Sequence, residues 1–323
     1  MTKQIFTSLL TLLLIVGFSS NAEAQRKKKK KEAKEIATPT PPKPKKGEIE
    51  PYSKVITSDA KSDEGLFKVH FLEEKYFYEI PDSLLEREML MVTRIAKNTS
   101  NNGSFGGQKT NTQVLRWQKK DKNIVLRIVS HNVVADEELP IHEAVVNSNF
   151  EPVLFSFPIK AFTDDKKSTV IDVTELFSTD VKPLGLPEYT RKGYKISKLE
   201  TKTSFIESIK SYPLNIESRH VKTYAASEPP SNSSTGTVSV EMSNSMILLP
   251  KEPMKRRIFD ERVGWFTSSQ TDYGLETQKS KEVTFLDRWR LEVKDEDVEK
   301  FKNGELVEPK KQIVYYIDRA TPT

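Results

Sequence analysis

Apolar and polar positions alternate with a period of two along much of this chain, and that period defines its elements. The clearest run is Val283 to Val293. Val283, Phe285, Trp289, Leu291 and Val293 fall on one side, and Thr284, Arg288, Arg290 and Glu292 on the other. Such a run predicts a strand in a sheet with one wet face. Leu214 to Tyr224 alternates likewise, with Leu214, Ile216, His220 and Tyr224 together, and Val238, Val240 and Met242 share a face. Thr112 to Gln118 and Lys122 to Ser130 flank the turn Lys119 to Asp121 and predict a hairpin. Pro152 to Ala161 and Ser168 to Val173 predict a second, around Thr163 to Lys167. Leu66, Val69 and Phe71 begin a strand that Tyr76 to Ile80 continue. Pro81 breaks it, and Asp82 is expected to cap one helical turn over Ser83 to Arg87. Met89 to Ile95 reads as a buried strand and Gln312 to Asp318 as a late one.

Helical signals are few and short. Thr174 is expected to cap a turn running to Phe177. Asp295 to Lys302 predicts a helix capped by Asp295, with Gly304 just past its end. Lys182 to Arg191, with two prolines and a glycine, predicts a loop. Short strands with turn signals argue for a mainly β protein, an antiparallel sandwich or distorted barrel with a few short helices.

The chain ends and the charge refine this picture. Ile5 to Phe18 is an apolar run of 14 residues, short for a membrane span, and Ala22-Glu23-Ala24 follows as a small-x-small site. Residues 1–24 therefore read as a signal peptide cut between Ala24 and Gln25. The six cations Arg26 to Lys31 sit on the wrong side of that cut, so an uncleaved inverted anchor is the alternative. An exported protein, periplasmic or extracellular, is expected, without a transmembrane helix. Residues 25–48, lysines followed by TPTPPKPKK, predict a stiff disordered linker. Residues 26–46 carry ten cations and two glutamates, a charge of +8. With a total of +5, and Lys3 cancelling Glu23, residues 47–323 are left at −3. The basic character belongs to the tail. A specific nucleic-acid interface is not expected, and contact of the tail with an envelope polyanion is the one electrostatic partnership it suggests. Beyond the tail we expect a small β-rich unit over 49–97, a main β-rich domain over 98–294, and a short helix plus strand over 295–323.

Chemistry is sparse. Cysteine is absent, which excludes disulfides, thiolate zinc sites and a cysteine nucleophile. Four histidines occur, His70, His131, His142 and His220. The nearest approach to HExxH is His142-Glu143-Ala144-Val145-Val146, where valine stands at the second histidine position. Asp164-Asp165 lies in a lysine-flanked turn without further spaced oxygen ligands for calcium. Asn98 to Gln108 holds three glycines but no lysine–serine pair or opening helix, so it predicts a turn and not a phosphate cradle. No catalytic or metal residue is assigned, and no cofactor is expected in this chain.

The interleaved charges of Pro253 to Tyr273, PMKRRIFDERVGWFTSSQTDY, are the most distinctive stretch. In a strand Asp260 and Arg262 would share a face, and Gly264 suits a bulge or a close backbone approach. Arg256, Arg257, Asp260, Arg262, Gly264 and Asp272 form a candidate latch onto a neighbouring domain; ordinary ion pairing at a sheet edge is the plainer reading. Together with the IDVTELF run from Ile171 to Phe177, the WRLEVKDED stretch from Trp289 and the closing LVEPKKQIVYYIDRATPT, this stretch resembles the N-terminal region of secreted bacterial zinc-dependent metalloproteases of the met-zincin type. In that family such regions are domains of unknown function. The resemblance implies a catalytic domain in cis as partner, holding the zinc, HExxH and a methionine turn. It implies a non-catalytic, truncated form here, serving folding, cleft covering or the docking of a protein substrate. A stand-alone envelope module for glycan or protein is the alternative, with Trp117, Trp265 and Trp289 as candidate stacking residues.

Overall fold

A computed structural model describes residues 49–99, 105–230, 235–275, 279–317 and 321–322. The expected signal peptide, its Ala24–Gln25 cleavage site and the basic linker lie outside the described residues, as do the middle of the glycine-containing loop and Asp318.

Twelve strands form one sheet in the order β1 (Lys61–Asp63), β2 (Lys68–Leu72), β3 (Lys75–Pro81), β9 (Ser168–Asp172), β8 (Val153–Phe162), β6 (Asn123–Val129), β5 (Lys109–Lys120), β4 (Glu88–Asn98), β13 (Thr237–Leu248), β12 (Asn215–Ala226) and β10 (Ile196–Leu199); β11 (Phe205–Ser211) pairs with the other half of the β12 edge. Every pairing in it is antiparallel. The sheet curls into a nearly closed barrel. Leu66 N–H donates to the Tyr212 carbonyl at 2.7 Å, and Ser211 N–H to Asp63 Oδ2 at 2.9 Å, across the seam. Gly65 makes this approach feasible, since a Cβ there would lie 2.6 Å from Ser211 Oγ and from the Tyr212 nitrogen.

The interior is built by alternation. Leu115 and Trp117 point inward from β5, while Arg116 and Gln118 point outward. Trp117 is fully buried at the centre, edge-on to Phe67 at 6.0 Å and Tyr78 at 6.1 Å, with Phe157 at 5.6 Å. Such aromatic pairs add about 0.5–1.5 kcal/mol each beyond their burial. Trp117 is thus a core residue and not a stacking platform.

Both predicted hairpins are present, as β5–β6 and β8–β9. Several expectations are corrected. Leu66 to Ile80 is not one strand but the β2–β3 hairpin, turning at Glu73 and Glu74 with φ of 49° and 62°. Asp82 opens a 3-10 turn and Asp295 a 3-10 start to α5 (Val298–Lys302), and neither side chain caps its helix. Lys182 to Arg191 holds a 3-10 turn and the start of α4 (Glu188–Gly193). An unexpected helix, α2 (Ile141–Ser148), follows Pro140 and ends where Asn149 Nδ2 donates to the Val145 carbonyl at 2.8 Å. The Val283–Val293 strand stops early. β15 (Lys281–Leu286) pairs with β14 (Thr267–Asp272), which pairs in parallel with β7 (Val133–Val134). Asp287 ends it by donating its N–H to the Phe266 carbonyl at 2.8 Å. Residues 312–317 form no strand. Among the described residues no helix is long and apolar enough to cross a membrane.

Candidate functional site

The latch residues are spread along the small β14–β15 sheet and the segment before it. The Arg256 guanidinium lies over the Phe285 ring at 5.0 Å and donates to the Gln270 side chain. The Arg257 carbonyl accepts the Leu286 N–H at 2.9 Å. Asp260 and Arg262 sit in a turn, not a strand, and pair with each other through two bonds of 2.8 and 2.6 Å. The Arg262 side chain and backbone N–H hold the Asp260 carboxyl below its usual range. Both groups are solvated, so the pair is worth little. Gly264 approaches nothing and has no left-handed backbone, which removes the bulge and close-approach readings. Asp272 Oδ1 accepts the Gly274 N–H at 2.8 Å at the end of β14. The six residues do not converge.

Large apolar side chains in this stretch and after it lie exposed. Phe266 is 88% exposed, Leu306 104% and Tyr316 95%; Trp265, Trp289, Ile258, Tyr315 and Ile317 are also exposed. Trp289 and Tyr315 meet edge to face at 6.4 Å. No described residue after Met246 belongs to the buried core.

The histidines are far apart in role. His70 is buried and joins Ser62 at 2.7 Å and Glu79 at 3.1 Å, with Tyr52 donating to Glu79 at 2.7 Å. Burial raises the Glu79 carboxyl, and the His70 and Tyr52 bonds outweigh it, so the group sits below its ordinary value. His131 bonds Glu88 at 3.0 Å, and His142 meets the Ala135 carbonyl at 3.1 Å from α2. His220 is buried on β12 with its Nε2 at 3.2 Å from the Leu184 carbonyl. Among the described residues no three His, Asp or Glu side chains come together as metal ligands.

Two polar constellations that the sequence did not single out do form. The first lies beneath the segment from α3 (Thr174–Ser178) to α4, against β12. Arg191 grips Asp180 with two bonds of 3.0 and 2.5 Å, caps the Tyr224 ring at 4.8 Å, and bonds the Leu186 carbonyl at 2.9 Å. Lys222 is fully buried, and its ammonium donates to the Thr179 carbonyl at 2.8 Å. Burial pushes its pKa down to about 8, partly offset by Asp180. Burial and the charge on Lys222 push His220 down to about 3. No cavity opens onto this cluster among the main clefts, so it acts as a polar clamp for its cover. The only hint in the sequence was the β12 alternation, which puts Lys222 on the same face as His220 and Tyr224.

The second lies on the outer face of the sheet, in a groove of 570 Å3 beside α2. Glu88, Arg116 and Arg127 stand directly opposite one another on β4, β5 and β6. Adjacent arginines repel, and carboxylates resolve this. Arg116 bonds Glu88 at 3.0 Å and Glu151 at 3.2 Å, while Arg127 bonds Gln118 and the Glu151 carbonyl, both at 2.8 Å. Arg116 Nε is buried without a partner. Phe150 stacks on the Arg127 guanidinium at 5.1 Å.

The curled antiparallel sheet and the few short helices define the class, a mainly β, barrel-like protein, in which no three His, Asp or Glu side chains among the described residues are placed to hold a metal. The chain belongs to the family described as a domain of unknown function (DUF5117), which matches residues 107–294, more than half its length. A second domain of unknown function (DUF5118) matches residues 49–98, the part that supplies β1 to β4. No curated protein and no solved structure matches the chain.

Proposed function

We propose that this chain is the non-catalytic N-terminal part of an exported zinc-dependent metalloprotease of the met-zincin type, and that residues 258–317 form the surface on which the catalytic domain packs. The uncovered apolar side chains of that stretch carry the reading. Soluble monomers rarely expose contiguous apolar patches beyond a few hundred Å2, and larger ones mark interaction surfaces. The resemblance of PMKRRIFDERVGWF and its companion stretches to that family supplies the partner's identity. Arg256, Arg257, Arg262 and Asp272 lie in or beside the same stretch of chain and would orient the contact, while Trp265 and Phe266 would anchor it.

The test has two arms. The purified chain should hold no stoichiometric zinc by metal analysis and leave casein intact. It should bind a separately produced met-zincin catalytic domain from an enzyme bearing the same two N-terminal domains. Replacing an anchoring aromatic costs about 2 kcal/mol or more, so Trp265→Ala should weaken that complex roughly 30-fold. Chelator-sensitive proteolysis by the chain alone, or binding indifferent to Trp265→Ala and Phe266→Ser, would overturn the proposal.

A further inference from the structure

The groove between α2 and the outer face of β5 and β6 is lined by no residue of the stretch 258–317, although β7 on its wall pairs with β14, and its chemistry is of another kind. We propose that it is a binding site for a neutral carbohydrate. Its 570 Å3 lies within the range of about 300–1,000 Å3 found for small-ligand clefts.

Two features select the ligand class. First, the charged groups at its base are engaged with one another. Arg116 is shared between Glu88 and Glu151, and Arg127 is fixed by Gln118 and the Glu151 carbonyl. Arg116 and Arg127 stand against Glu88, Glu137 and Glu151, so the groove carries no positive excess to attract an anion. It does present fixed donors and acceptors in close array. A ligand with many hydroxyls, each both donor and acceptor, matches such an array. Second, the rim has a flat apolar plate. Phe150 is 73% exposed, with one face against the Arg127 guanidinium. The opposite face is open to the C–H face of a sugar ring. An extended peptide would instead need an unpaired strand edge, and β5 and β6 are paired on both sides.

The experiment screens the full chain against an array of neutral, sialylated and sulfated oligosaccharides. The strongest neutral binder is then titrated by calorimetry at 0.05 and 0.5 M NaCl. Binding of a neutral oligosaccharide in the micromolar to millimolar range is expected, unchanged by salt. Phe150→Ala should weaken it about tenfold or more while leaving Tm unchanged, because that ring is outside the core. His131→Ala should weaken it less. The proposal is overturned by silence across the neutral glycans, by capture of sulfated or sialylated glycans only with a steep salt dependence, or by binding that survives Phe150→Ala. Loss with Trp265→Ala alone would also overturn it, by moving the site to the stretch after Met246. None of these outcomes bears on the binding of a catalytic domain.

Discussion

Lys222 is the residue at which a single substitution reads out the energetics of the fold most directly. Its ammonium is enclosed between β12 and the α3–α4 cover, bonded to the Thr179 carbonyl. Asp180, the nearest countercharge, is already gripped by Arg191. Burial therefore prevails, and the native pKa falls from 10.5 to about 8. Each pKa unit is 1.36 kcal/mol, so keeping this charge inside costs the fold about 3 kcal/mol. Below pH 8 both native and unfolded chains carry the proton, and the whole cost is present. Between pH 8 and 10.5 the unfolded lysine keeps a proton that the native one has lost. The unfolded state then binds more protons, so this group makes stability rise with pH, at up to about 1.4 kcal/mol per pH unit.

Lys222→Met keeps most of the side-chain volume and removes the charge. It also removes the donor to Thr179, a loss of about 1 kcal/mol. The variant should be more stable than the parent by about 2 kcal/mol at pH 7, and this advantage should shrink towards zero by pH 9.5. Urea unfolding followed by the fluorescence of the buried Trp117 measures both quantities. Tyr78 and Tyr224, whose hydroxyls burial pushes up, act in the opposite direction above pH 10. They are common to both proteins and drop out of the difference. A variant less stable at pH 7 by more than about 1 kcal/mol would show that the ammonium is a net stabiliser of its cover. So would a difference that stays flat with pH, and either result refutes the reasoning.

Two further expectations follow from single residues. His220, neutral in the fold down to about pH 3, should make the protein lose up to about 4–5 kcal/mol as pH falls from 6.5 to 3, because only the unfolded chain takes up the proton; His220→Gln should flatten that acid limb in denaturant midpoints, and an unchanged limb argues against it. Gly65→Ala drives a methyl against Ser211 and Tyr212 at the seam and should cost about 1–3 kcal/mol, seen as a fall in Tm; no fall would mean that the seam can open freely.

The sequence showed the barrel where turns and alternation agree, and lost it where they part. Lys119 to Asp121 and Thr163 to Lys167 sit between runs of matching length, and both hairpins follow. Glu73-Glu74 carries none of the glycine or asparagine that left-handed turns favour, so the β2–β3 hairpin looked like one strand. Helix α2 spans eight residues, little more than two turns, and its 3.6 period hardly shows. The groove was hidden for a different reason. Glu88, Arg116 and Arg127 become neighbours only through the register of three strands, and nothing in their spacing announces it. Lys222 was hidden by its own chemistry, since a lysine counts as polar wherever it stands. Gly264 shows the reverse error: a glycine in a charged strand-like run suggested a bulge, yet the run is a turn held by its neighbour Asp260.

The two sides of Met246 follow different rules. Before it, apolar residues at alternate positions enter the barrel, and even the polar intruders Lys222, His220 and Asn244 find partners there. After it, tryptophan, phenylalanine, tyrosine, isoleucine and leucine recur, but among the described residues none is buried. Unfolded linkers avoid such a composition, because they are poor in aromatic residues. A solvated surface avoids it too, since contiguous apolar groups associate. The stretch therefore has the makings of half a core. Its ion pairs, such as Asp260 with Arg262, are local and exposed, and contribute too little to fix it. What orders such a segment is the burial of its aromatics against a second surface, at about 25 cal/mol for each Å2 removed from water. This exposed composition is what supports the proposal of a docking contact on residues 258–317, with the barrel, already filled around Trp117, as its support.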